Sequence, residues 1–386
     1  MIYPEAHIWP FYTGIRPFPD TSFRYPVQQK LPVFCLTNTY QRRGKSHIPQ
    51  IVTYLDGPFY PDAELPAKLQ KTQLRDQVYE AMGKRAQNSN MEMIRYIKKD
   101  TDRRNHSYEK YSFCGNSKVF DGVLTCMLSV LKRTHATDPF CFYIFTMDMT
   151  RIRPEYTPIS EDMTNFLERV AKKFHPQNRV ISVDVTVLYE RYFGGCPNES
   201  AYCSPYTLLR LLADLVPGMP DKLLYLDADI LFQRDIRLLY DKDVSHVEYA
   251  AARDHYGKYL ISPDYINAGV LLLNMKKYQK NRSVYESTKA GFQTKKLIFA
   301  DQSAIIRSTR AKMLLPQKFN DQKFLHKHTV VRHFSRRLFY LPYPHTDNIK
   351  QWEVERVHTV FHYHAFDDIL KEYLYLKHIY EKRKHI

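Results

Sequence analysis

The sequence predicts an α/β fold in which helices cover a mixed, mostly parallel sheet. From residue 111 onward, short apolar runs alternate with stretches of helical periodicity, the pattern typical of this class. The chain has 386 residues, of which 44% are hydrophobic, so it can bury a large core. Residues 1–110 lack this alternation, and we expect them to form an N-terminal extension of unknown role that is partly helical.

Individual strands and helices can be assigned in order along the α/β region. Each candidate strand is a short apolar run, and each candidate helix has an apolar stripe that repeats every three or four residues. The candidate strands are 111–114, 140–147, 179–185 and 222–232, and the candidate helices are 121–133, 162–174 and 206–217, with one more at 62–99 in the extension. Ser204 and Pro205 suit the start of the third helix, because serine caps free amides and proline fits the first turn.

The formal charge of +16 predicts an anionic partner, which could be a nucleic acid, a lipid surface or a phosphorylated small molecule. The sequence has no zinc-finger spacing, helix-turn-helix signal or RNA-binding motif, so we expect no nucleic-acid partner. A basic nucleic-acid-binding protein stays as an alternative that rests on charge alone. The tail at 371–386 alternates aromatic and basic residues, which favours either peripheral contact with an anionic bilayer or a solvated terminal helix.

Signals for export and membrane insertion are missing from the sequence. No apolar window approaches the roughly 20 residues that span a bilayer, and the N-terminal residues do not follow the signal-peptide pattern. The 6 cysteines form no CxxC pair, and several lie in apolar runs where a buried free thiol is the ordinary interpretation. We therefore predict a cytoplasmic protein with reduced cysteines, peripheral at the inner face of the membrane if its tail binds lipid.

Two carboxylates interrupt the most informative candidate strand, KLLYLDADILF at 222–232. Burying Asp227 or Asp229 without a partner is costly, so their apolar flanks call for a cation. Residues i and i+2 of an extended segment point the same way, so both carboxylates can bind one hard divalent ion at the carboxyl end of a strand. The alternative is a strand-end turn with two exposed aspartates, which accounts for most D-x-D tripeptides.

Six further segments accompany YLDADILF at 225–232 in a fixed order. They are FCGNSKVFDGVLTCMLSVLK at 113–132, YTLLRLLADLVP at 206–217, YINAGVLLLNMKKY at 265–278, ADQSAI at 300–305, LPQKFN at 315–320 and HTDNIKQW at 345–352. Together these segments resemble glycosyltransferase family 8 over about 111–376. The resemblance implies a GT-A-type nucleotide-sugar fold over 111–370, and it leaves the extension and the tail unexplained.

The resemblance also implies which residues bind the donor. The donor-binding candidates are Cys114, Gly115, Asn116, Arg210, Asp227, Ala228, Asn267 and Lys350. The first three would contact the nucleoside, Arg210 and Asn267 would contact the sugar or its phosphate, and Lys350 would bind the diphosphate. Two alternatives stay open: Arg210 can pair with Asp214 along its own helix, and Asn267 can belong to a tight turn.

The metal ligands implied by the resemblance are Asp227, Asp229 and His345. The spacing from His345 to Lys350 is one residue shorter than the family pattern, so His333 in VVRHFS is a competing third ligand. Two carboxylates and one imidazole suit Mn²⁺, with Mg²⁺ as the second choice, because no thiolate is present in the set.

Asp301 and Gln302 are the catalytic candidates, since they match the pair that lies beneath the transferred sugar in the family. The other interpretation of Asp301 is an N-cap of a helix over 302–308. No carboxylate in the motifs is an obvious nucleophile, so the resemblance favours same-face substitution through an oxocarbenium-like state that one of the two residues stabilises.

The sequence as a whole therefore predicts a retaining, metal-dependent hexosyltransferase. The resemblance implies UDP-glucose or UDP-galactose as the donor and a saccharide, a lipid-linked sugar or a cell-envelope polysaccharide as the acceptor. An inactive nucleotide-sugar-binding protein is a further alternative, although the candidate metal, diphosphate and sugar ligands are all present in the sequence.

Overall fold

The computed structural model describes residues 108–135, 138–199, 204–280, 300–340 and 343–384. Almost all of the predicted extension, including its expected helix at 62–99, lies outside these residues. The strands are β1 Glu109–Cys114, β2 Phe140–Thr146, β3 Arg179–Asp184, β4 Lys222–Leu226, β5 Ile230–Phe232, β6 Tyr249–Ala252, β7 Val270–Asn274, β8 Lys312–Leu315, β9 Val331–His333, β10 Arg337–Phe339 and β11 His345–Asp347. Strands β5 and β9 form one small antiparallel sheet, and β10 and β11 form another.

The central sheet contains seven of these strands in the order β3-β2-β1-β4-β7-β6-β8. Adjacent strands are parallel except where β7 pairs with β4 and with β6. The predicted mixed, mostly parallel sheet is therefore confirmed. The chain places β2 and β3 on one side of β1 and β4 on the other, and such a reversal of strand order opens a crevice at the carboxyl ends of the two strands.

Helices cover both faces of this sheet. The α-helices are α1 Phe120–Arg133, α2 Glu161–Lys172, α3 Thr186–Phe193, α4 Arg237–Tyr240, α5 Gly257–Leu260, α6 Met275–Lys280, α7 Ala300–Ser308, α8 Val354–Thr359 and α9 Asp367–Lys384, and the 3-10 helices are Ser117–Val119, Pro205–Leu215 and Gln317–Phe319. Buried side chains of α1, α2, α8 and α9 join one apolar core, and those of α3, α7 and the Pro205–Leu215 helix join a second core. Alternate residues of the strands supply both cores, as the period of a strand requires.

Two predicted elements differ from the structure in ways that matter for the site. The expected strand at 222–232 breaks into β4 and β5, because β4 pairs within the central sheet while β5 pairs with β9. Asp227 and Asp229 thus follow a strand instead of lying inside one. The expected helix at 206–217 is a 3-10 helix over Pro205–Leu215, with the Ser204 hydroxyl accepting a hydrogen bond from the Tyr206 amide at 3.4 Å.

The basic tail that the sequence sets apart at 371–386 belongs, as far as Lys384, to α9. Tyr373 and Tyr380 are buried in the core beneath α1, and the ring of Tyr380 lies 4.6 Å from that of Phe120. Lys377 Nζ also donates to Asp121 at 2.9 Å. Most of the apolar stripe of the tail therefore stabilises the domain itself.

The described helices include none that is long and apolar enough to cross a membrane. The cysteines within the described ranges are buried and outside disulfides, as expected; they are Cys114, Cys126, Cys141 and Cys196.

Candidate metal centre

Asp227 is the first residue after β4, at the crevice between β1 and β4. Its amide donates to Gly269 O at 2.8 Å, which fixes the backbone. Its Oδ1 atom accepts hydrogen bonds from Arg210 Nη2 at 2.9 Å and from the Tyr225 hydroxyl at 2.6 Å. These contacts orient the carboxylate and leave Oδ2 as its outward oxygen.

Asp229 is held in a similar way by a different cation. Its Oδ2 atom accepts from Lys350 Nζ at 2.5 Å, and its Oδ1 atom lies 3.1 Å from His333 Nε2. Burial of the Asp229 carboxyl opposes its ionisation, but the positive charges of Lys350 and His333 outweigh burial and hold the pKa of Asp229 far below its ordinary value. The side chain is therefore a carboxylate, as a metal ligand must be.

His333 reaches the aspartates because β5 pairs with β9. Ile230 is the register partner of His333, and the Phe334 amide donates to Asp229 O at 2.8 Å. The ring of His333 is 4% exposed, and its Nδ1 lies 3.0 Å from Asn320 Oδ1. A carbonyl oxygen only accepts, so Nδ1 donates to it, and Nε2, which faces Asp229, is the nitrogen left to bind an ion in place of a proton.

The side-chain atoms that these contacts leave, Asp227 Oδ2, Asp229 Oδ1 and His333 Nε2, lie close together. Ligand atoms of Asp227, Asp229 and His333 all lie within 4.8 Å of one another. His333 Nε2 is 3.1 Å from Asp229 Oδ1 and 3.9 Å from Asp227 Oδ2. Adjacent ligands of an octahedral ion with bonds of about 2.1 Å lie about 3 Å apart, so small movements bring this group to that geometry. A hard N,O donor set of this kind fits Mn²⁺ or Mg²⁺.

A chain of hydrogen bonds behind His333 holds the imidazole. Asn320 Nδ2 donates to Asn267 Oδ1 at 2.8 Å, and Asn267 Nδ2 donates to Asp254 Oδ2 at 3.0 Å. Asn267 Oδ1 also accepts from the Gly269 amide at 3.0 Å. The predicted tight turn at Asn267 is thus present, and both ends of this side chain have protein partners.

Two glycines allow the close packing of this centre. A Cβ at Gly269 would lie 2.4 Å from His333 Cε1 and 2.7 Å from Asp227 Oδ2, so no side chain fits there. A Cβ at Gly122 in α1 would lie 2.4 Å from Ala228 O. Ala228 O also accepts from Gln351 Nε2 at 2.7 Å. The segment between the aspartates is therefore clamped between α1 and the residue after Lys350.

Arg210, Asp301 and Gln302 lie together behind Asp227. The buried Arg210 guanidinium contacts Asp227, and its Nε lies 3.3 Å from Asp301 Oδ2. One positive charge therefore lies between these two carboxylates. Burial raises the pKa of Asp301, although the charge of Arg210 opposes this rise. Gln302 Oε1 accepts from the Ala268 amide at 3.0 Å. Asp301 also lies in the first turn of α7, where backbone amides favour a carboxylate.

The nucleoside candidates are at the same edge of the sheet. Cys114 ends β1, whose register partners in β4 include Tyr225, and Gly115 and Asn116 follow. Asn116 is buried and its Oδ1 accepts from the Lys118 amide at 3.1 Å, which starts a 3-10 turn. The structure therefore brings the end of β1 near the candidate metal-binding group, since Cys114 interacts electrostatically with Arg210 and Asp227.

His345 is the predicted site residue that does not join this group. It lies in β11, where its ring stacks on Phe339 at 5.6 Å and its Nδ1 is 2.8 Å from Tyr343 O. The competing candidate His333 occupies the position beside the aspartates. The motif indicates His345 instead of His333 because it expects the histidine a few residues before the lysine. In this chain the β10–β11 hairpin lies between His333 and Lys350 and lengthens that spacing.

Several residues of the centre have a role that their sequence motifs do not indicate. Tyr225, Asn320, Gly269 and Gln351 each contact a ligand or the segment that carries the ligands. Their segments had been matched to the family, so the signal was present. Their contacts depend on pairing between distant parts of the chain, which a motif does not reveal.

Comparison with known proteins places the chain in a family. The sequence profile of Glycosyl transferase family 8 matches residues 107–320, more than half of the chain. The chain belongs to this family. The predicted family is thereby confirmed, and with it the enzyme class, a glycosyltransferase, and the GT-A-type fold of its family 8 domain. A search of curated proteins finds no match.

Several solved structures are similar to this family 8 chain. The galactosyltransferase LgtC, in complex with donor and acceptor sugar analogs, is 19% identical, with a TM-score of 0.47 and coverage of 68% of this chain and 96% of LgtC. The bifunctional WbbM is 16% identical, with a TM-score of 0.45 and coverage of 56% and 40%. GlyE of Streptococcus pneumoniae is 17% identical, with a TM-score of 0.41 and coverage of 68% and 63%. This chain thus spans less than two thirds of WbbM and of GlyE.

Proposed function

We propose that this chain is a retaining hexosyltransferase that takes glucose or galactose from a UDP-sugar, with Mn²⁺, or Mg²⁺ as the second choice, held by Asp227, Asp229 and His333. One observation carries the proposal: every other polar atom of these three side chains has a protein partner, and the remaining atoms face one another. His333 takes the place of His345 because of this convergence.

The cationic residues around the centre are suited to a diphosphate. A bound divalent ion would neutralise charge on the departing nucleotide diphosphate. An ammonium group has three donors, and Lys350 Nζ uses two of them on Asp229 and on Phe334 O. The third donor is available to a diphosphate oxygen. Arg210 contributes charge from behind Asp227 and keeps that carboxylate in place.

The nucleoside would occupy the crevice between β1 and β4. Strand order reverses there, and ligands of open α/β sheets bind at such points. Cys114, Gly115 and Asn116 form the end of β1 at this edge. We place the base and ribose against this segment and the diphosphate at Ala228 and the aspartates.

The hexose would then lie over Asp301 and Gln302. Asp301 is the anionic member of the pair and stabilises positive charge at the reacting carbon. Gln302 positions the Asn267–Gly269 turn through its bond to the Ala268 amide. No carboxylate besides Asp301 and the metal ligands enters this proposal, which favours same-face substitution over a covalent intermediate.

The acceptor in this proposal is a saccharide, either free, lipid-linked or part of a cell-envelope polysaccharide. Contact with the inner face of a membrane would use the outer side of α9, where Leu374 and Tyr375 are exposed among basic residues. The rest of that helix packs on the domain.

A panel of UDP-sugars tests the proposal. Melting temperature and release of UDP are measured for each sugar with Mn²⁺ and with EDTA, since a bound donor stabilises the fold by mass action. We expect UDP-glucose or UDP-galactose to stabilise the protein and to be hydrolysed slowly only with Mn²⁺. Stabilisation without any hydrolysis or transfer would identify an inactive nucleotide-sugar binder, and no stabilisation by any UDP-sugar would contradict the donor assignment.

A further inference from the structure

A basic cleft adjoins the metal centre and has no role in the function proposed so far. It has a volume of about 160 Å³, well above the roughly 15 Å³ that one water molecule needs. Three of its lining residues are cationic or can become so: Arg253, His255 and Lys258. Among the described residues that line it there is no carboxylate.

The cleft is formed by segments that follow two neighbouring strands at the carboxyl edge of the sheet. Arg253 and His255 follow β6, and the Gln317–Phe319 turn with Asn320 and Gln322 follows β8, its parallel neighbour. Gln322 Nε2 donates to Arg253 O at 3.0 Å, and Gln322 Oε1 accepts from the His255 amide at 3.0 Å. One side chain thus joins the two walls and fixes the spacing of the cationic groups.

Asn320 connects the cleft to the metal centre. It lines the cleft and also contacts His333 Nδ1 through its Oδ1 atom at 3.0 Å. The strand order places β6 two strands from β4 and β8 three strands from it. Strands are about 4.8 Å apart, so the cleft lies on the order of 10 Å from the aspartates. A molecule bound in the cleft would therefore lie close to the candidate metal centre.

The two permanent cations of the cleft are not held in direct ion pairs with the acids around them. Within the part of the chain that the structure describes, neither Arg253 nor Lys258 forms an ion pair with a carboxylate. Asp254 lies beside them, but its oxygens accept hydrogen bonds from the Gly257 amide and from Asn267. Burial, and after it the charges of Lys323 and Lys258, lower the pKa of His255. The cleft therefore has two cationic groups, Arg253 and Lys258, that form no ion pair among the described residues, although Asp254 and Asp321 also act on His255.

We propose that this cleft is the acceptor subsite and that the acceptor carries a negatively charged group, a phosphate or a carboxylate, bound by Arg253 and Lys258. This inference rests on the proposed function, because it assigns the second substrate of the same site. Arg253 uses Nε on Pro263 O, which leaves the Nη atoms for bidentate recognition of an oxyanion. His255 adds a further donor or acceptor at the same wall.

Binding of a charged and an uncharged sugar tests the cleft directly. Glucose 6-phosphate and glucose are titrated calorimetrically into metal-free protein in EDTA, where the aspartates cannot recruit phosphate through an ion. The variants are Arg253→Gln and Lys258→Gln, and Lys173→Gln, an exposed lysine at the end of α2, is the matched control for loss of one charge. We expect the wild type to bind the phosphate ester more tightly than glucose. A charge-assisted bond is worth about 1.5–3 kcal/mol, so Arg253→Gln should weaken binding of the ester roughly tenfold or more.

A second experiment, with lipid vesicles, tests whether the anionic group belongs to a lipid headgroup or to a soluble acceptor. Tyr259 and Leu260 are exposed in α5 beside the cleft, so a headgroup could enter from a membrane surface. Sedimentation with phosphatidylcholine vesicles, with and without phosphatidylinositol, compares the same four proteins. Binding that depends on phosphatidylinositol and on Arg253 identifies a lipid headgroup, and binding of glucose 6-phosphate alone identifies a soluble acceptor. Both outcomes support an anionic acceptor.

The inference is overturned if glucose 6-phosphate binds no more tightly than glucose and vesicles are not bound, or if Arg253→Gln and Lys258→Gln behave like Lys173→Gln. Manganese-dependent release of UDP by the wild type is measured in parallel and reports on the donor site alone. Its absence would reject the proposed function, whereas its presence with unchanged anion binding in the variants would reject only the acceptor assignment.

Discussion

Two groups of three potential metal ligands occur in the described part of the chain, and they differ in what surrounds them. Asp227, Asp229 and His333 form one group, and His358, His364 and Asp367 form the other. In the first group the atoms that do not converge are bound by Arg210, Lys350 and Asn320, which come from distant elements. In the second group both oxygens of Asp367 face the two imidazoles, at 2.8 and 3.6 Å.

The difference shows that proximity of ligand atoms is a weak sign of a metal centre. His364 is 68% exposed, and its ring stacks on that of His358 at 4.8 Å, an arrangement that Asp367 alone can stabilise. In the first group, called the buried group below because His333 is buried and the two aspartates are half-buried, each ligand is oriented by a second residue. Such support normally governs metal affinity as much as the ligands do. The following predictions test whether that support distinguishes the two groups.

The largest effect is expected from removal of one carboxylate in the buried group. Asp229→Asn should lower manganese-dependent turnover about a thousandfold or more, because several kcal/mol of charge stabilisation depend on the bound ion. Steady-state kinetics with Mn²⁺ measures this loss, and circular dichroism checks that the fold is retained. Asp367→Asn is the matched control in the surface group and should keep normal turnover. Equal losses in both variants would remove the distinction between the groups.

The choice of histidine is the next test. His333→Ala should weaken Mn²⁺ binding by more than about 100-fold, since loss of a ligand exceeds the effect of losing a supporting residue. His345→Ala should bind Mn²⁺ as the wild type does, because its ring contacts Phe339 and Tyr343 instead of the aspartates. Electron paramagnetic resonance of free Mn²⁺ during a titration measures both affinities. The opposite pattern would restore His345 as the third ligand.

Support of the imidazole can be removed without touching a ligand. Asn320→Ala deletes the partner of His333 Nδ1 and should reduce Mn²⁺ affinity about 10–100-fold. Asn348→Ala, at an exposed position after β11, is the control and should have no effect. If Asn320→Ala matches the control, the hydrogen-bonded chain behind His333 does not orient it.

The next prediction concerns the close packing of His333 and Asp227 against Gly269. Gly269→Ala would place a Cβ against His333 and Asp227, so we expect a loss of about 1–3 kcal/mol in the free energy of unfolding from overpacking. Chemical denaturation with and without Mn²⁺ measures the loss and shows whether Mn²⁺ still stabilises the variant. Unchanged stability together with unchanged stabilisation by Mn²⁺ would mean that the close approach at Gly269 is not required.

The smallest effect is expected in the surface group. His364→Ala removes an exposed partner of Asp367, and exposed ion pairs contribute at most about 1 kcal/mol. Thermal unfolding should change accordingly, and turnover should not change. A large drop in stability that Zn²⁺ or Mn²⁺ reverses would show instead that the surface group binds a metal ion.

Much of the sheet could be predicted from the sequence because its strands are short segments rich in apolar residues. Residues 140–147 are buried throughout, and the structure has β2 there. The structure has β3 at most of 179–185, where Val180, Ile181 and Val183 are buried although Asp184 is exposed. The exception is 222–232, where apolar character continues across Asp227 to Asp229 although the chain changes partners from β1 and β7 to β9. An apolar sequence indicates that a segment is buried, but it does not indicate with which strand the segment pairs.

The site could be predicted only in part, for a related reason. Asp227 and Asp229 are only two residues apart in sequence, so local geometry sufficed to pair them. Choosing between His333 and His345 required the register of β5 with β9, which joins residues far apart in the chain. Asn320 and Gly269 contribute to the site because the side chain of His333 approaches them. An asparagine or a glycine in the sequence does not by itself indicate such a contact.

The most direct test of the account is the anomalous diffraction of Mn²⁺ in crystals grown with Mn²⁺ and UDP. We predict one strong peak bonded to Asp227, Asp229 and Nε2 of His333, with a diphosphate oxygen as a further ligand and no comparable peak at His364. A peak that excludes either aspartate, or one that lies at His345 or in the surface group while the aspartates bind only Arg210 and Lys350, would contradict it.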